Sequence, residues 1–305
     1  MPDAPQSNAA QSDASLADLL FGAVQRLLPT HAISRIVHWA ARHESAWFKQ
    51  LLINYLMRSF NISLDDAQIT NPNAYRSLNE FFTRALAPGA RPMPPAEDGL
   101  ASPVDGRISQ LGDIRAGRIV QAKGQDYSVL ELLGGKQELA SPFLGGHFCT
   151  IYLAPNNYHR IHMPLAGRLR EMVYIPGRLF SVSPSTARAI PRVFARNERV
   201  ACIFDTDAGP FAMVAVGALN VGSIETVWAG EITPAGRRLI PRVESRRYEK
   251  DEAIQLGRGD EMGRFNLGST VVMLFGAGAV AWQDAIQPGG SVRLGQELGK
   301  FRRGA

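Results

Sequence analysis

Three short segments carry side chains that can do chemistry together. FNLGSTVVMLF places the hydroxyl of Ser269 directly after Gly268, at the start of a strongly apolar run. YHRIHMP holds His159 and His162 three residues apart, with a tyrosine, an arginine and a proline around them. ASPVDGRIS puts Asp105 in a Pro-Val-Asp-Gly turn. Taken singly, each has an ordinary structural explanation. Gly–Ser occurs three times in the chain, at 222–223, 268–269 and 290–291, and both Gly–Ser and Asp–Gly are common turn chemistry. Two histidines can simply be half-buried hydrogen-bonding groups. Taken together, Asp105, His162 and Ser269 supply a carboxylate, an imidazole and a hydroxyl. In that combination the imidazole removes the hydroxyl proton while the carboxylate orients and stabilises it. His159 is a second imidazole available for proton transfer near neutral pH. The G-x-S-x-G elbow of the α/β-hydrolases is absent around Ser269, which argues against a conventional esterase. A histidine pair at i, i+3 can also hold a metal. With no cysteine nearby and no H-E-x-x-H pattern, no metal site is expected.

Groups so far apart in the chain need a framework to bring them together. Residues 1–14 read as a disordered tail. From Ser15 the apolar residues Leu16, Leu19, Leu20, Ala23, Val24, Leu27 and Leu28 recur at helical spacing. Ser15 and Asp18 form a capping pair and Pro29 ends the run. Two further helices follow, one around Ile33–Ala40 and one around Trp47–Phe60. Residues 15–60 carry Arg26, Arg35, Arg42, Lys49 and Arg58 against Asp18 and Glu44, a net +3. Such stripes normally pack on a core, but basic amphipathic helices with aromatics also lie in lipid headgroups. SLDDAQ from Ser63 and SLNEFFTRAL from Ser77 read as shorter helices. APGARPMPP from Ala87 is a hinge. Beyond residue 100 short strands broken by Gly, Pro, Asn and Asp dominate, with a helical insert at YSVLELL. The expected class is α+β: helices over 15–87, then a β-rich body over 100–305.

Composition fits a globular chain of 305 residues with 45% hydrophobic and 20% charged content. The net charge of +5 favours anionic partners. No Lys/Arg block with interleaved aromatics points to nucleic acid. Cys149 and Cys202 each sit in an apolar run, as expected of isolated buried thiols. No apolar stretch reaches the roughly 20 residues that a membrane-spanning helix needs. The first 14 residues lack the positive charge of a signal peptide, so a cytoplasmic protein is expected.

Several blocks resemble the bacterial phosphatidylserine decarboxylases. LGST within EMGRFNLGSTVVMLF looks like the self-processing site of that family, of its Gly-Ser-Thr type. SPVDGRISQLG, YHRIHMP, PGRLFSV, FARNERV and VGSIETVWAG are similar to its other blocks, and the match runs from about residue 20 to the end. The resemblance implies a barrel-sandwich-hybrid-like body and a homodimer. It implies that Ser269 attacks the Gly268 carbonyl, with His162 as base and Asp105 orienting it. Ester formation and β-elimination then leave a β chain of 1–268 and a dehydroalanine that hydrolyses, releasing ammonia, to the pyruvoyl group heading an α chain of 269–305. No pyridoxal phosphate is needed. The serine amine of phosphatidylserine forms a Schiff base with that ketone, loses CO₂ and departs as phosphatidylethanolamine. His159 assists the returning proton, and Leu179, Phe180 and Ser181 wall the headgroup. Such a substrate turns the helices of 15–60 toward an anionic leaflet, at the cytoplasmic side of the inner membrane. Two rivals remain: a serine hydrolase using the same three residues without self-cleavage, and a lipid-binding protein without catalysis.

Overall fold

The computed structural model describes residues 14–122, 124–219, 223–233, 242–249, 253–266 and 269–303. The tail expected over 1–14 lies outside them, apart from Ala14. Helix α1 (Leu16–Leu27) opens on the anticipated capping box, in which Ser15 Oγ accepts from the Asp18 amide while Asp18 accepts from the Ser15 amide. Helix α2 (Thr30–Ala41) follows directly. Helix α3 (Ala46–Phe60) ends on Asn61 in the left-handed conformation, where its amide caps the Met57 carbonyl. SLDDAQ forms no helix. Ser63 Oγ takes the Asp65 amide and Ala67 pairs with Leu86, so a side chain competing for the backbone turns the segment instead. SLNEFF does form one, α4 (Leu78–Phe82), capped by Ser77.

Helices α1 and α2 are mounted inside out. Their buried residues are Asp18, Gly22 and Gln25 on α1 and Thr30, Ser34 and Ala41 on α2. Leu19, Leu20, Val24, Ile36 and Trp39 are exposed instead, and Leu27 reaches 87% exposure. The attachment is polar: Asp18 pairs with Arg188 at 3.1 Å, and Gln25 bonds Thr186 and the Ser181 amide. Arg42 and His38 meet Glu231. Gly22 permits the close approach, since a Cβ there would stand 3.3 Å from Ala189 and Ile190.

The body is built on an antiparallel nine-stranded sheet with Ser269–Phe275 in its middle, between His147–Leu153 and Gly209–Val216. All seven residues of that central strand are buried, as a strand covered on both faces must be. One flank continues through Gly106–Asp113 to the two-residue edge Ser291–Val292, and the other through Arg199–Thr206 and Gly167–Ile175 to Glu244–Arg247. A four-stranded sheet carries Arg160–His162 beside Glu261–Phe265. The α+β class therefore holds. No sheet closes into a barrel among the described residues, because the two edge strands of the large sheet do not pair with each other. One large apolar core fills the body, and a smaller one joins Ile53 of α3 to Leu78, Phe81 and Phe82 of α4. Cys149 and Cys202 are free, buried thiols, and burial pushes both up.

Candidate active site

The start of the central strand holds one of the predicted residues, Ser269, and a second, His159, reaches it. Ser269 lies opposite Leu153 in the register. It is fully buried, and its Oγ has no hydrogen-bond partner among the described residues. Gly268, the other half of the expected cleavage site, lies outside the described residues. Asn266 is held on the approach to it. Its amide donates to the Ser223 carbonyl, its side chain reaches Ser223 Oγ, and Asn79 of α4 donates to its Oδ1 at 3.1 Å.

His159 reaches this strand end from the four-stranded sheet. Its carbonyl accepts the Phe265 amide, and its Nε2 donates at 3.1 Å to Ala154 O, one residue beyond Leu153. The ring stacks on Phe82 with centroids 4.1 Å apart. That bond places the proton on Nε2 and leaves Nδ1 a lone pair without a partner among the described residues. Burial, reinforced by the Arg84 guanidinium, pushes this imidazole down to about 3, so it is neutral at physiological pH.

His162 is wired differently. Its Nδ1 donates to the Gly259 carbonyl at 2.7 Å, and its Nε2 accepts from the Tyr158 hydroxyl at 3.0 Å. The carbonyl fixes the tautomer, and burial lowers the imidazole's proton affinity. Gly259 has φ +89°, a conformation that glycine alone adopts without strain. Burial also raises Tyr158, which is therefore a neutral donor.

Asp105 is held by a fork. Arg91 reaches both carboxylate oxygens, at 3.1 and 2.8 Å, and the Leu294 amide donates to one of them at 2.7 Å. Gly106 follows because a Cβ there would stand 2.6 Å from the Tyr152 carbonyl. Asp105, Tyr152, Ala154, Tyr158, Arg84 and Arg91 line one cavity of about 690 Å³, in the size range of small-ligand sites. The structure thus brings His159 and Ser269 to one strand end, with Asp105 and Tyr158 on the adjoining wall. Among the described residues no hydrogen bond links Asp105, His162 and Ser269 to one another.

Leu179 and Phe180 are buried, and Ser181 is half-buried. None of the three borders that cavity. The Phe180 backbone is clamped by Asn197, which accepts its amide and donates to its carbonyl and to that of Gly217. Leu179 Cδ2 lies 3.4 Å from the Cβ position of Gly217, just beyond Val216, the partner of Thr270. Arg199 donates to the carbonyls of Leu132, Asn197 and Glu131 from a buried position. PGRLFSV and FARNERV are thus two halves of one clamp beside the central strand.

The contribution of α4 was not legible beforehand. Phe82 stacks on His159, Asn79 holds Asn266, and Thr83 O accepts from Arg160 at 2.9 Å. The segment SLNEFFTR showed only a short helix starting at Ser77. The overlooked sign was an arginine placed directly after a buried helical turn.

Comparison with known proteins bears on what this arrangement is for. The family model described as phosphatidylserine decarboxylase matches residues 78–300, from the first residue of α4 onward, and a model described as PSD matches 20–61. A relative from Alkalilimnicola ehrlichii is 57% identical over 265 residues, which cover 87% of this chain and 91% of the relative. One from Nitrosococcus oceani is 51% identical over 286 residues (94% and 92%), and one from Pseudomonas fluorescens 52% over 284 (92% and 96%). All three are named phosphatidylserine decarboxylase proenzyme. Sequence similarity across the helices, the cavity wall and the central strand leaves one assignment: this chain belongs to the phosphatidylserine decarboxylase family.

Proposed function

We propose that the chain cuts itself between Gly268 and Ser269, converts Ser269 into a pyruvoyl group, and uses it to turn phosphatidylserine into phosphatidylethanolamine and CO₂. The observation that carries this reading is the buried, unpartnered Ser269 Oγ at the head of the central strand. A buried hydroxyl is normally bonded, and one left free is expected where it reacts. Its removal disturbs no hydrogen bond among the described residues, so the position suits a group made from the serine itself.

In the first stage Ser269 Oγ attacks the Gly268 carbonyl and the peptide bond rearranges to an ester. Then β-elimination frees chain 1–268 with its carboxylate and leaves a dehydroalanine at 269, whose imine tautomer takes up water and releases ammonia to give the pyruvoyl group of chain 269–305. His162 acts as the base. Its Nδ1 is fixed by Gly259, so Nε2 is the accepting atom. It reaches Ser269 by exchanging the Tyr158 hydroxyl for the serine. Asp105, held by Arg91 and the Leu294 amide on the adjoining wall, is the carboxylate that orients and stabilises the imidazolium. In the second stage the pyruvoyl ketone supplies an electron sink for the departing carboxylate. The neutral His159 then positions a proton through Nδ1, while Leu179 and Phe180, which with Ser181 lie outside the cavity, pack beside the strand that carries the reacting group. Denaturing mass spectrometry of protein releasing CO₂ from phosphatidylserine is expected to return two chains, the smaller with a blocked N-terminus. Active protein consisting only of intact chain would refute the reading and favour a hydrolase.

The same reading places α1–α3 on an anionic bilayer, at the cytoplasmic side of the inner membrane, with the protein as a homodimer. No helix among the described residues is long and apolar enough to cross a membrane. Support comes from the outward apolar faces of α1 and α2 and from Trp47, which is 73% exposed on α3. Arg26, Arg178, Arg192 and Arg196 lie exposed around the C-terminal end of α1, close enough that the others lower the proton affinity of Arg196, after burial. Burying a Leu side chain contributes roughly 1.5–3 kcal/mol. Leu20→Asp with Trp39→Asp is therefore expected to weaken partitioning into phosphatidylglycerol vesicles by about 100-fold or more. Unchanged co-sedimentation would exclude these helices as the docking surface.

A further inference from the structure

Arg84 is a buried cation without a counter-ion. Its residue exposure is 7%, and no carboxylate lies within ion-pair distance of it among the described residues. The guanidinium lies 5.8 Å from the Phe81 ring centroid, and Nη2 makes one long contact of 3.5 Å with the Asn156 carbonyl. Nη1 has no partner among the described residues. Burial weakens the hold of this guanidinium on its proton, although Asp105 nearby offsets part of that effect. A desolvated guanidinium with a free donor costs free energy unless an anion arrives to meet it.

Its place in the fold indicates where such an anion comes from. Arg84 lines the cavity of about 690 Å³, which extends from Asn61, at the end of α3, to Ala154, next to the partner of Ser269. The cavity therefore runs from the C-terminal end of α3 to the residue beside the partner of Ser269. Arg91, the other cation deep in that wall, is already committed to Asp66 and Asp105. Arg84 alone among the buried cations of the wall has donors left over.

We propose that Arg84 is the headgroup receptor of this site and binds the phosphodiester of the lipid, an inference that rests on the decarboxylase reading. The substrate carries two anions, and their chemistry separates them. A guanidinium paired with the carboxylate would stabilise the charge that must leave as CO₂, and so would oppose the reaction. The phosphodiester keeps its charge from substrate through transition state to product. A fixed cation there holds all three equally, anchoring the headgroup while the carboxylate end faces Ser269.

The test compares full-length, processed wild type with Arg84→Gln and Arg84→Lys. Calorimetry with dihexanoyl phosphatidylethanolamine reads phosphodiester binding without a carboxylate, and dihexanoylglycerol serves as the uncharged control. In Arg84→Gln the Kd for the phosphodiester and the KM for dihexanoyl phosphatidylserine are expected to rise roughly 10- to 100-fold. The value of kcat should stay within about threefold, the pattern of uniform binding lost. Diacylglycerol binding should not change, and Arg84→Lys should recover part of the loss. Unchanged phosphodiester affinity with a fallen kcat would assign Arg84 to the carboxylate and overturn the proposal. Unchanged affinity and kinetics would overturn it as well. If Arg84→Gln fails to fold, Arg84→Lys decides: the same Kd as wild type defeats the proposal. Wild type that releases no CO₂ defeats the decarboxylase reading, whatever Arg84 does.

Discussion

Ser269→Ala is expected to yield a single uncleaved chain of 305 residues that releases no CO₂ above background. In the proposed reaction the hydroxyl is the nucleophile of the cut, and its loss by β-elimination is what opens residue 269 to conversion into the ketone, so no partial activity survives its removal. The fold should be indifferent. Ser269 Oγ makes no hydrogen bond among the described residues, and a methyl group suits the apolar start of the strand. Replacing an unpaired buried hydroxyl by a smaller apolar group changes stability by about 1 kcal/mol or less. Intact mass, carboxyl-labelled phosphatidylserine turnover and a thermal melt together separate chemistry from folding. A cut Ser269→Ala chain would remove the serine from the mechanism. An unfolded one would show that the hydroxyl has a structural task instead.

The two histidines are expected to fail in different ways. His162→Ala should slow chain cleavage by roughly 10²- to 10⁴-fold, the usual worth of a general base. His159→Phe should leave cleavage complete and reduce CO₂ release per processed chain by a similar factor of about 10²–10⁴. Phenylalanine keeps the stack on Phe82 while removing both ring nitrogens. Cleavage is read from a time course of denaturing gels, and decarboxylation from single turnovers of the fraction already processed. The geometry makes this a demanding test, because His159 sits at the same strand end as Ser269 whereas His162 is bonded to Tyr158 and Gly259. Cleavage blocked in His159→Phe and normal in His162→Ala would exchange the two roles. Tyr158→Phe supplies a control. It frees Nε2 of His162, and faster cleavage is its expected result if the tyrosine competes with Ser269 for that atom.

The N-terminal helices and the central strand illustrate how much could be read in advance. A capping box is a local matter of four residues, so Ser15 and Asp18 announced α1 correctly. SLDDAQ offered an equally good serine, yet its local bond to Asp65 made a turn, since nothing further along the segment sustained a helix. STVVMLF read as a strand because its run of five apolar residues, Val271 to Phe275, suits burial on both faces, and it occupies the middle of the sheet. The unusual blocks around Asp105, His159, His162 and Ser269 pointed to the family, and the relatives agree.

Chain order alone therefore determined most of the helices and strands, though not the turn at SLDDAQ, and the family to which the chain belongs. It could not say which way an amphipathic stripe faces, because a 3.6-residue period is the same whether the apolar side meets a core or the outside. Only the packing of Asp18, Gly22 and Gln25 against the body decided that α1 turns its leucines outward. Nor could spacing assign partners to the histidines or to Arg84. Hydrogen bonds and desolvation depend on atoms a few ångströms apart that lie tens to hundreds of residues apart along the chain, and that proximity exists only once the chain has folded.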